Sequence, residues 1–385
     1  MQTGAETLLT IGAPEHDAAV YHLSGFLAPD PVICLRAAGK SYLAVSAMEY
    51  GRAKRDARVD EVLSYDELGV FRLARELKSA DRGQAAAAAE LIKSLGAEGP
   101  VYVPPHTGVV YADELRARGV DISPDARLFS GMRRQKTEAE IAAIEQTQRA
   151  VEAACHHAVG ILRESGVASD GTLSWRGETL TSETLRAEID TDLLRRGCAA
   201  ENTITAGGVQ ATDPHERGSG PLHAGESIIL DIFPLGRENR YFADMTRTVV
   251  KGDPPNGLRR MYDAVLESQE AALAMIRAGV NGREVHSRVS EILHEKGYKT
   301  AQHDQEPGVP LQEGFMHGTG HGVGLEIHES PRVSLADEEL LPGDVITVEP
   351  GVYDPAVGGV RIEDLVVVTE GGCRNLTQFP KEFVL

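Results

Sequence analysis

The segments FMHGTGHGVGLEIHESP (residues 315–331) and GDVITVEPGVY (residues 343–353) decide the fold, because an earlier part of the chain has the same order. There, ATDPHERGSGPLHAGESIILDIFP (residues 211–234) is also a glycine-rich loop with histidines that leads into an apolar strand. The hydrophobic spacing predicts a pair of helices before each loop. The sequence therefore predicts two copies of one unit, unless common helix–helix–strand patterns recur here by coincidence.

Each copy carries two acidic residues on or near its apolar strands. Asp231 lies in IILDIF and Asp244 follows thirteen residues later, while Glu349 lies in VITVEP and Glu363 follows fourteen residues later. An unpaired charge in such a strand is costly to bury, so it is normally excluded, neutralised or paired. Two related units would bring the four carboxylates together around a local two-fold axis, and this arrangement predicts a metal site.

The segment from His317 to His321 adds an imidazole to this set. Its glycine and threonine residues cannot sustain the helix on which a HExxH metal motif depends, so a strand or loop is predicted. Four carboxylates and His321 would suit two divalent cations, with Mn²⁺ the natural choice and Co²⁺ or Zn²⁺ as alternatives. Two such ions about 3.5–4 Å apart could share carboxylates, lower the pKa of a water molecule and polarise a carbonyl group.

Each of these residues also has a simpler interpretation. The two histidines could be a hydrogen-bonded structural element. Asp231 could form a turn and Asp244 could cap the following segment. Glu349 and Glu363 could be buried carboxylates that pair with Arg361. The metal site is the interpretation that accounts for all of them at once.

Length and composition predict an acidic, folded protein with two domains. The 385 residues suit an α/β domain over residues 1–130 and a second domain over residues 131–385. The formal charge of −19 argues against nucleic acid or an anionic membrane as a partner, although it could serve solubility alone. We expect a cytoplasmic location because no signal sequence or membrane span is evident, and we assign no role to the four scattered cysteines.

The segments DIFP, YFADMTRT, HGTGHGVGLEIHE, VEPGVY and RIED resemble those of the pita-bread metallopeptidases, which include aminopeptidase P, prolidase and methionine aminopeptidase. The preceding α/β domain is similar to the N-terminal domain of aminopeptidase P, prolidase and creatinase. The resemblance implies an α/β N-terminal domain followed by an α+β pita-bread domain with an internal pseudo-two-fold duplication.

The resemblance also implies individual roles. The implied metal ligands are Asp231, Asp244, His321, Glu349 and Glu363, with Asp244 and Glu363 bridging two ions. By the same resemblance, Glu349 serves in proton transfer and His328 contacts the reacting amide. His215 and His317 line the substrate site, and Arg361 orients the ligand carboxylates. Arg361 could instead form a surface salt bridge, and His215 could be an ordinary loop histidine, since Glu216 replaces the usual aromatic neighbour.

The implied activity is that of a metal-dependent Xaa-Pro peptidase, and we favour aminopeptidase P, which acts on longer peptides, over prolidase, which acts on dipeptides. Two further interpretations stay open: a non-peptide hydrolase or lyase on the same fold, and a binding protein without turnover. Two departures from the family pattern lie on the substrate side of the implied metal site: Asp231-Ile-Phe-Pro replaces the common Asp-x-Gly-Ala, and the interval to Asp244 is longer than usual. A symmetric homodimer is expected.

Overall fold

The structure is a computed structural model that describes residues 6–200 and 202–385. It consists of two compact units, Met1–Arg133 and Arg134–Leu385. Residues 1–5, at the start of the predicted first domain, and residue 201 in the predicted second domain lie outside the described residues. Among the described helices, none combines the length and the apolar character that crossing a membrane would require.

The first unit is a mixed sheet with helices around it. Its strands are β1 (Thr7–Gly12), β2 (Val32–Ala37), β3 (Lys40–Val45), β4 (Glu61–Ser64), β5 (Val101–Val103) and β6 (Ile122–Pro124). Its helices are α1 (Ala18–Ser24), α2 (Ala47–Asp56), α3 (Val70–Leu77), α4 (Ala80–Ser94), α5 (Val109–Ala117) and α6 (Ala126–Arg134), which ends at the unit boundary. The strand order is β4-β3-β2-β1-β5-β6, and the buried alanines of α4 belong to the core beside this sheet.

The second unit opens with α7 (Glu138–Glu164), which begins at a capping box between Thr137 and Glu140. The rest of its first half is β7 (Gly166–Val167), β8 (Leu173–Trp175), β9 (Glu178–Thr179), α8 (Ser182–Arg195), β10 (Cys198–Ala199), β11 (Ile204–Gly207), a 3-10 helix (Gly208–Thr212), β12 (Ile228–Ile232), β13 (Leu235–Gly236) and β14 (Met245–Val249). Strands β7, β8 and β9 have only two or three residues each, which is too short to show a period of two in the sequence.

The second half repeats the order of two long helices followed by strands. Its elements are α9 (Asn256–Met275), α10 (Gly282–Glu295), α11 (Ala301–Asp304), β15 (Gly320–Gly322), β16 (Glu329–Val333), β17 (Val345–Val348), β18 (Gly351–Asp354), β19 (Gly358–Arg361), β20 (Asp364–Val368) and β21 (Cys373–Asn375). The main sheets are β11-β12-β14 in the first half and β16-β15-β17-β20-β21 in the second. The predicted duplication is therefore present.

Two threonines of β14 join the two halves. The Thr246 hydroxyl donates a hydrogen bond of 2.7 Å to Glu363 Oε2, and the amide of Glu363 donates to the Thr246 carbonyl at 3.1 Å. The Thr248 hydroxyl accepts from the amide of Arg361 at 3.0 Å and donates to its carbonyl at 2.8 Å. All of these groups are buried, so the strands that carry the acidic residues of both halves are held side by side.

Candidate metal centre

The first half supplies two carboxylates from neighbouring strands. Asp231 lies within β12, where it pairs with Thr246 of β14, and Asp244 immediately precedes β14. Because side chains alternate along a strand, Asp244 and Thr246 lie on the same face. Asp231 and Asp244 are therefore diagonal neighbours on one side of the sheet, and both are buried.

The second half supplies two carboxylates that face each other directly. Val348 pairs with Asp364 and Gly351 pairs with Arg361, which is one continuous register. That register places Glu349 opposite Glu363. Residues opposite each other on antiparallel strands have Cβ atoms about 4.5–5.5 Å apart, and like charges there are destabilising. A cation between them would remove this repulsion.

His321 lies in β15 with its ring in the state that a metal ligand needs. Its Nδ1 lies 3.1 Å from the carbonyl of Gly322, which can only accept, so Nδ1 carries the proton. Nε2 then presents a lone pair, and it lies 3.3 Å from Glu349 Oε1 and 3.8 Å from Asp244 Oδ2. Burial lowers the pKa of His321 to about 3, so these contacts are not ion pairs at neutral pH.

The five residues line one cavity of about 800 Å³. Ligand atoms of Asp244, His321 and Glu363 all lie within 4.8 Å of one another, which is close enough for a shared cation. Asp231 and Glu349 line the same cavity beside them. A set of oxygen donors with one imidazole fits divalent cations of the Mn²⁺, Co²⁺ and Zn²⁺ type.

The electrostatics of this cluster also fit cations. Burial, followed by the neighbouring Glu363, Asp231 and Glu349, raises the pKa of Asp244 well above its usual value. Burial and the same kind of crowding raise the pKa of Glu363, and burial raises the pKa of Glu349 to about 7 against the opposing effect of Arg361. Bound divalent cations would compensate this charge and let the carboxylates ionise.

Arg361 is buried beside the ligand set and uses its guanidinium within the protein. It donates to Asp231 Oδ2 at 2.6 Å, to the Tyr353 hydroxyl at 2.8 Å and to the Thr246 hydroxyl at 3.2 Å. The buried side chain therefore orients the carboxylate of Asp231, a candidate ligand, and its ion pair with Asp231 does not lie at the surface. Its contacts are to protein groups, although it lines the cavity.

His317 lines the cavity, but both of its ring nitrogens already have partners. Nδ1 donates to the Gly318 carbonyl at 2.8 Å, so Nε2 is unprotonated and accepts from the Tyr353 hydroxyl at 2.9 Å. Burial lowers the pKa of His317 to about 3. A substrate could therefore pack against the ring of His317. A hydrogen bond between the substrate and Nε2 of this ring would require the Tyr353 hydroxyl to move away.

His215 and His328 lie at more exposed positions of the same cavity. The ring of His328 meets that of His321 edge to face, with centroids 4.4 Å apart, and burial lowers the pKa of His328. His215 lies in the loop after the 3-10 helix, where its amide donates to Asp213 Oδ1 at 3.1 Å. All sequence-predicted site residues thus line one cavity.

Two polar residues at this site, Tyr353 and Arg332, were not predicted from the sequence. Tyr353 connects His317 to Arg361 through its hydroxyl. Arg332 lies in β16 opposite His321, so the two side chains share a face of the sheet, and Arg332 lines the cavity. The sequence offered one indication of Arg332, which is that this basic residue follows His328 by four positions.

The part of the chain that carries these ligands matches a known protein family. Residues 142–370, more than half of the chain, match metallopeptidase family M24. This chain belongs to metallopeptidase family M24. Family M24 membership implies that the chain binds divalent metal ions.

Related members of family M24 include the Xaa-Pro dipeptidase of Pyrococcus furiosus, which is 41% identical over 187 residues, or 48% of this chain and 49% of the relative. The chain therefore spans about half the length of the curated relatives that it matches in sequence.

Solved structures match over almost the whole chain. The Xaa-Pro dipeptidase from Bacillus anthracis has a TM-score of 0.81 and 25% identity, covering 99% of this chain and 96% of that one. The X-Pro aminopeptidase from Thermotoga maritima MSB8 has a TM-score of 0.80 and 26% identity, covering 99% and 98%. The family and the pita-bread fold predicted from the sequence are confirmed.

The crowded carboxyl groups predict an unusual pH dependence of the metal-free chain. Asp244, Glu349 and Glu363 have pKa values raised above those of an unfolded chain, about 3.9 for Asp and 4.3 for Glu. Their contribution to the stability of the fold is fully present below the pKa values that they have in the unfolded chain. It is lost as the pH rises through their pKa values in the folded chain, which for Glu349 is about 7.

We therefore expect the melting temperature after chelation to fall between about pH 5 and pH 8, as measured by calorimetry. Saturating Mn²⁺ should stabilise the chain more at the higher pH, because ionised ligands bind the cation. A melting temperature that rises over this range by the same amount with and without Mn²⁺ would contradict the crowding of these groups.

Proposed function

We propose that this chain is a metal-dependent Xaa-Pro dipeptidase, which hydrolyses the bond before the proline of a dipeptide. The observation that carries the proposal is Arg332, a cationic residue that lines the same cavity as the five candidate metal ligands. The sequence motifs favoured aminopeptidase P, but the Xaa-Pro dipeptidases that resemble this chain in sequence and in structure favour the dipeptidase.

In this proposal two divalent metal ions would be held by Asp231, Asp244, His321, Glu349 and Glu363, and Asp244 and Glu363 would be the carboxylates shared between them. When bound, two divalent cations would polarise the scissile carbonyl and supply an acidified water. Arg361 holds Asp231 in place through the 2.6 Å contact. Glu349 would transfer the proton, and it is oriented by the Thr347 hydroxyl, which donates to its Oε1 at 3.3 Å.

The remaining side chains would hold the substrate. His328 lies beside His321 and would contact the reacting amide, and His215 and His317 would line the substrate site. Phe233 and Ile327 also line the cavity and give it apolar surface for a proline ring. Phe233 belongs to the segment Asp231-Ile-Phe-Pro, which replaces the common Asp-x-Gly-Ala of the family. This departure would therefore add an aromatic side chain to the substrate side of the cavity.

Arg332 would distinguish a dipeptide from a longer peptide. In a dipeptide the terminal carboxylate lies one residue beyond the scissile bond, whereas a longer peptide has a neutral amide there. The guanidinium forms no hydrogen bond or ion pair within the part of the chain that the structure describes, so it is available to a carboxylate. A charge-assisted hydrogen bond is about twice as strong as a neutral one.

The test is an assay of the Mn²⁺-loaded chain on Gly-Pro, on Gly-Pro amide and on Arg-Pro-Pro. We expect kcat/KM for Gly-Pro to exceed that for either of the others by about tenfold or more, the effect of one charge-assisted contact. Exhaustive chelation should abolish the activity. A preference for Arg-Pro-Pro would favour the second candidate, an aminopeptidase P, which the Thermotoga maritima structure supports.

Inactivity on all three substrates would reject the peptidase and favour a non-peptide hydrolase or lyase, or a binding protein. Within the proposal we take Mn²⁺ as the native cation, to be checked by the metal content of protein purified without added ions. We also propose a creatinase-type domain over residues 1–130, a catalytic domain over residues 131–385, a symmetric homodimer and a cytoplasmic location.

A further inference from the structure

The antiparallel ladder in the second half is interrupted where the two glutamates lie. Strands β17 and β20 pair up to Val348, and β18 and β19 resume in the same register at Gly351. Between them, Glu349 faces Glu363 and Pro350 faces Ile362. The backbone around both candidate ligands therefore lacks part of the support that a continuous ladder would give.

Pro350 explains one missing bond. The amide of Ile362 donates to the Pro350 carbonyl at 3.3 Å. The reciprocal bond cannot form because proline has no N–H group. The carbonyl of Ile362 belongs to a buried residue and needs another donor, since buried backbone groups are almost always paired.

Gln269 of α9 supplies that donor. Its side-chain amide, on a residue with no exposed surface, donates to the Ile362 carbonyl at 3.2 Å and to the Val348 carbonyl at 3.0 Å. Ile362 directly precedes Glu363, and Val348 directly precedes Glu349. One amide group therefore binds both peptide units to which the facing glutamates are attached.

The other end of Gln269 gains no comparable contact. Its Oε1 has no hydrogen-bond partner among the described residues. Burying an unpaired amide oxygen costs free energy. An apolar side chain of similar size would fill the same space without this cost. The two donated hydrogen bonds are the reason for a glutamine at this position.

We propose that Gln269 is a positioning residue for the metal pair, which fixes the spacing of Glu349 and Glu363 before any cation binds. The amide holds the backbones of both residues together through its two hydrogen bonds, to the Val348 and Ile362 carbonyls. The inference rests on the metal site of the proposed function. Gln269 acts through the backbone and does not touch the cations.

Gln148 provides a matched control. It lies in α7, the corresponding helix of the first half, it is equally buried, and its Oε1 also lacks a partner among the described residues. Its amide donates to the Thr377 hydroxyl at 3.2 Å and not to the strand carbonyls beside the ligands. Gln269→Met and Gln148→Met thus remove the same group from similar surroundings.

The experiment titrates chelated full-length protein with Mn²⁺ and follows free Mn²⁺ by electron paramagnetic resonance. Groups that orient metal ligands typically change affinity about 10- to 100-fold, so we expect Gln269→Met to weaken binding at least tenfold. Gln148→Met should bind Mn²⁺ as the wild type does. Equal affinities in the wild type, Gln269→Met and Gln148→Met would overturn the inference.

Adding Pro350→Ala to Gln269→Met restores an N–H group opposite the Ile362 carbonyl. The double variant should therefore recover part of the Mn²⁺ affinity. If Gln269 only fills space, the affinity does not recover, and that result would overturn the inference. If Gln269→Met is insoluble, Gln269→Glu keeps the shape but loses the amide, and unchanged Mn²⁺ affinity would overturn the inference as well. Failure of the wild type to bind Mn²⁺ would instead reject the proposed function.

Discussion

Replacing Glu363 by glutamine is expected to lower the hydrolysis of Gly-Pro by the Mn²⁺-loaded chain by on the order of 10³-fold. A ligand atom of Glu363 lies within 4.8 Å of ligand atoms of both Asp244 and His321, and Glu363 faces Glu349 across the strands. An amide is a poor substitute for a bridging carboxylate, so the bound Mn²⁺ per chain, measured by metal analysis, should fall below two.

The same substitution should stabilise the metal-free chain. Glutamine removes one of the crowded carboxyl groups and still offers an acceptor to the Thr246 hydroxyl, now 2.7 Å from Glu363 Oε2. The charge-matched control is Glu313→Gln, at an exposed ion pair with Lys299, which should change neither activity nor metal content. Full activity with two bound ions in Glu363→Gln would refute this assignment.

Replacing Arg332 by methionine should raise KM for Gly-Pro about 10- to 100-fold, because a hydrogen bond to a charged group contributes about 1.5–3 kcal/mol. Gly-Pro amide has no terminal carboxylate, so its KM should change little. Steady-state kinetics on the two substrates measure the difference directly. Arg332→Lys keeps the charge but not the planar fork and should give an intermediate value for Gly-Pro.

Arg288→Met is the control for Arg332→Met, because Arg288 is exposed on α10 and pairs with Glu291. It should leave both KM values unchanged. An equal rise of KM for Gly-Pro and its amide in Arg332→Met would mean that Arg332 does not read the carboxylate, and the dipeptidase would lose its main support.

The candidate ligands could be predicted from the sequence because their signal is local. An acidic residue in a buried strand stands out against its apolar neighbours, and the spacing repeats in both halves. Long amphipathic helices such as α7 and α9 were predictable for the same reason, since their periodicity extends over many residues. The fold and the family followed from these features.

Arg332, Tyr353 and Gln269 could not be found in this way. Arg332 is recognisable only once the register pairs it with His321, and its sequence context is that of an ordinary surface strand. Helical spacing places Gln269 on the buried face of α9, but the two carbonyls to which it donates lie in distant parts of the chain. Their roles depend on contacts between distant parts of the chain, which the spacing of residues does not contain.

The threonine contacts between β14 and the strands of the second half have a consequence for the order of events on the ribosome. Asp231 and Asp244 are synthesised long before Glu363, yet the buried Thr246–Glu363 contact joins the two halves, and the candidate ligands come from both of them. A nascent chain would therefore acquire its metal ions late, when the last ligand strand has emerged and docked beside the first half.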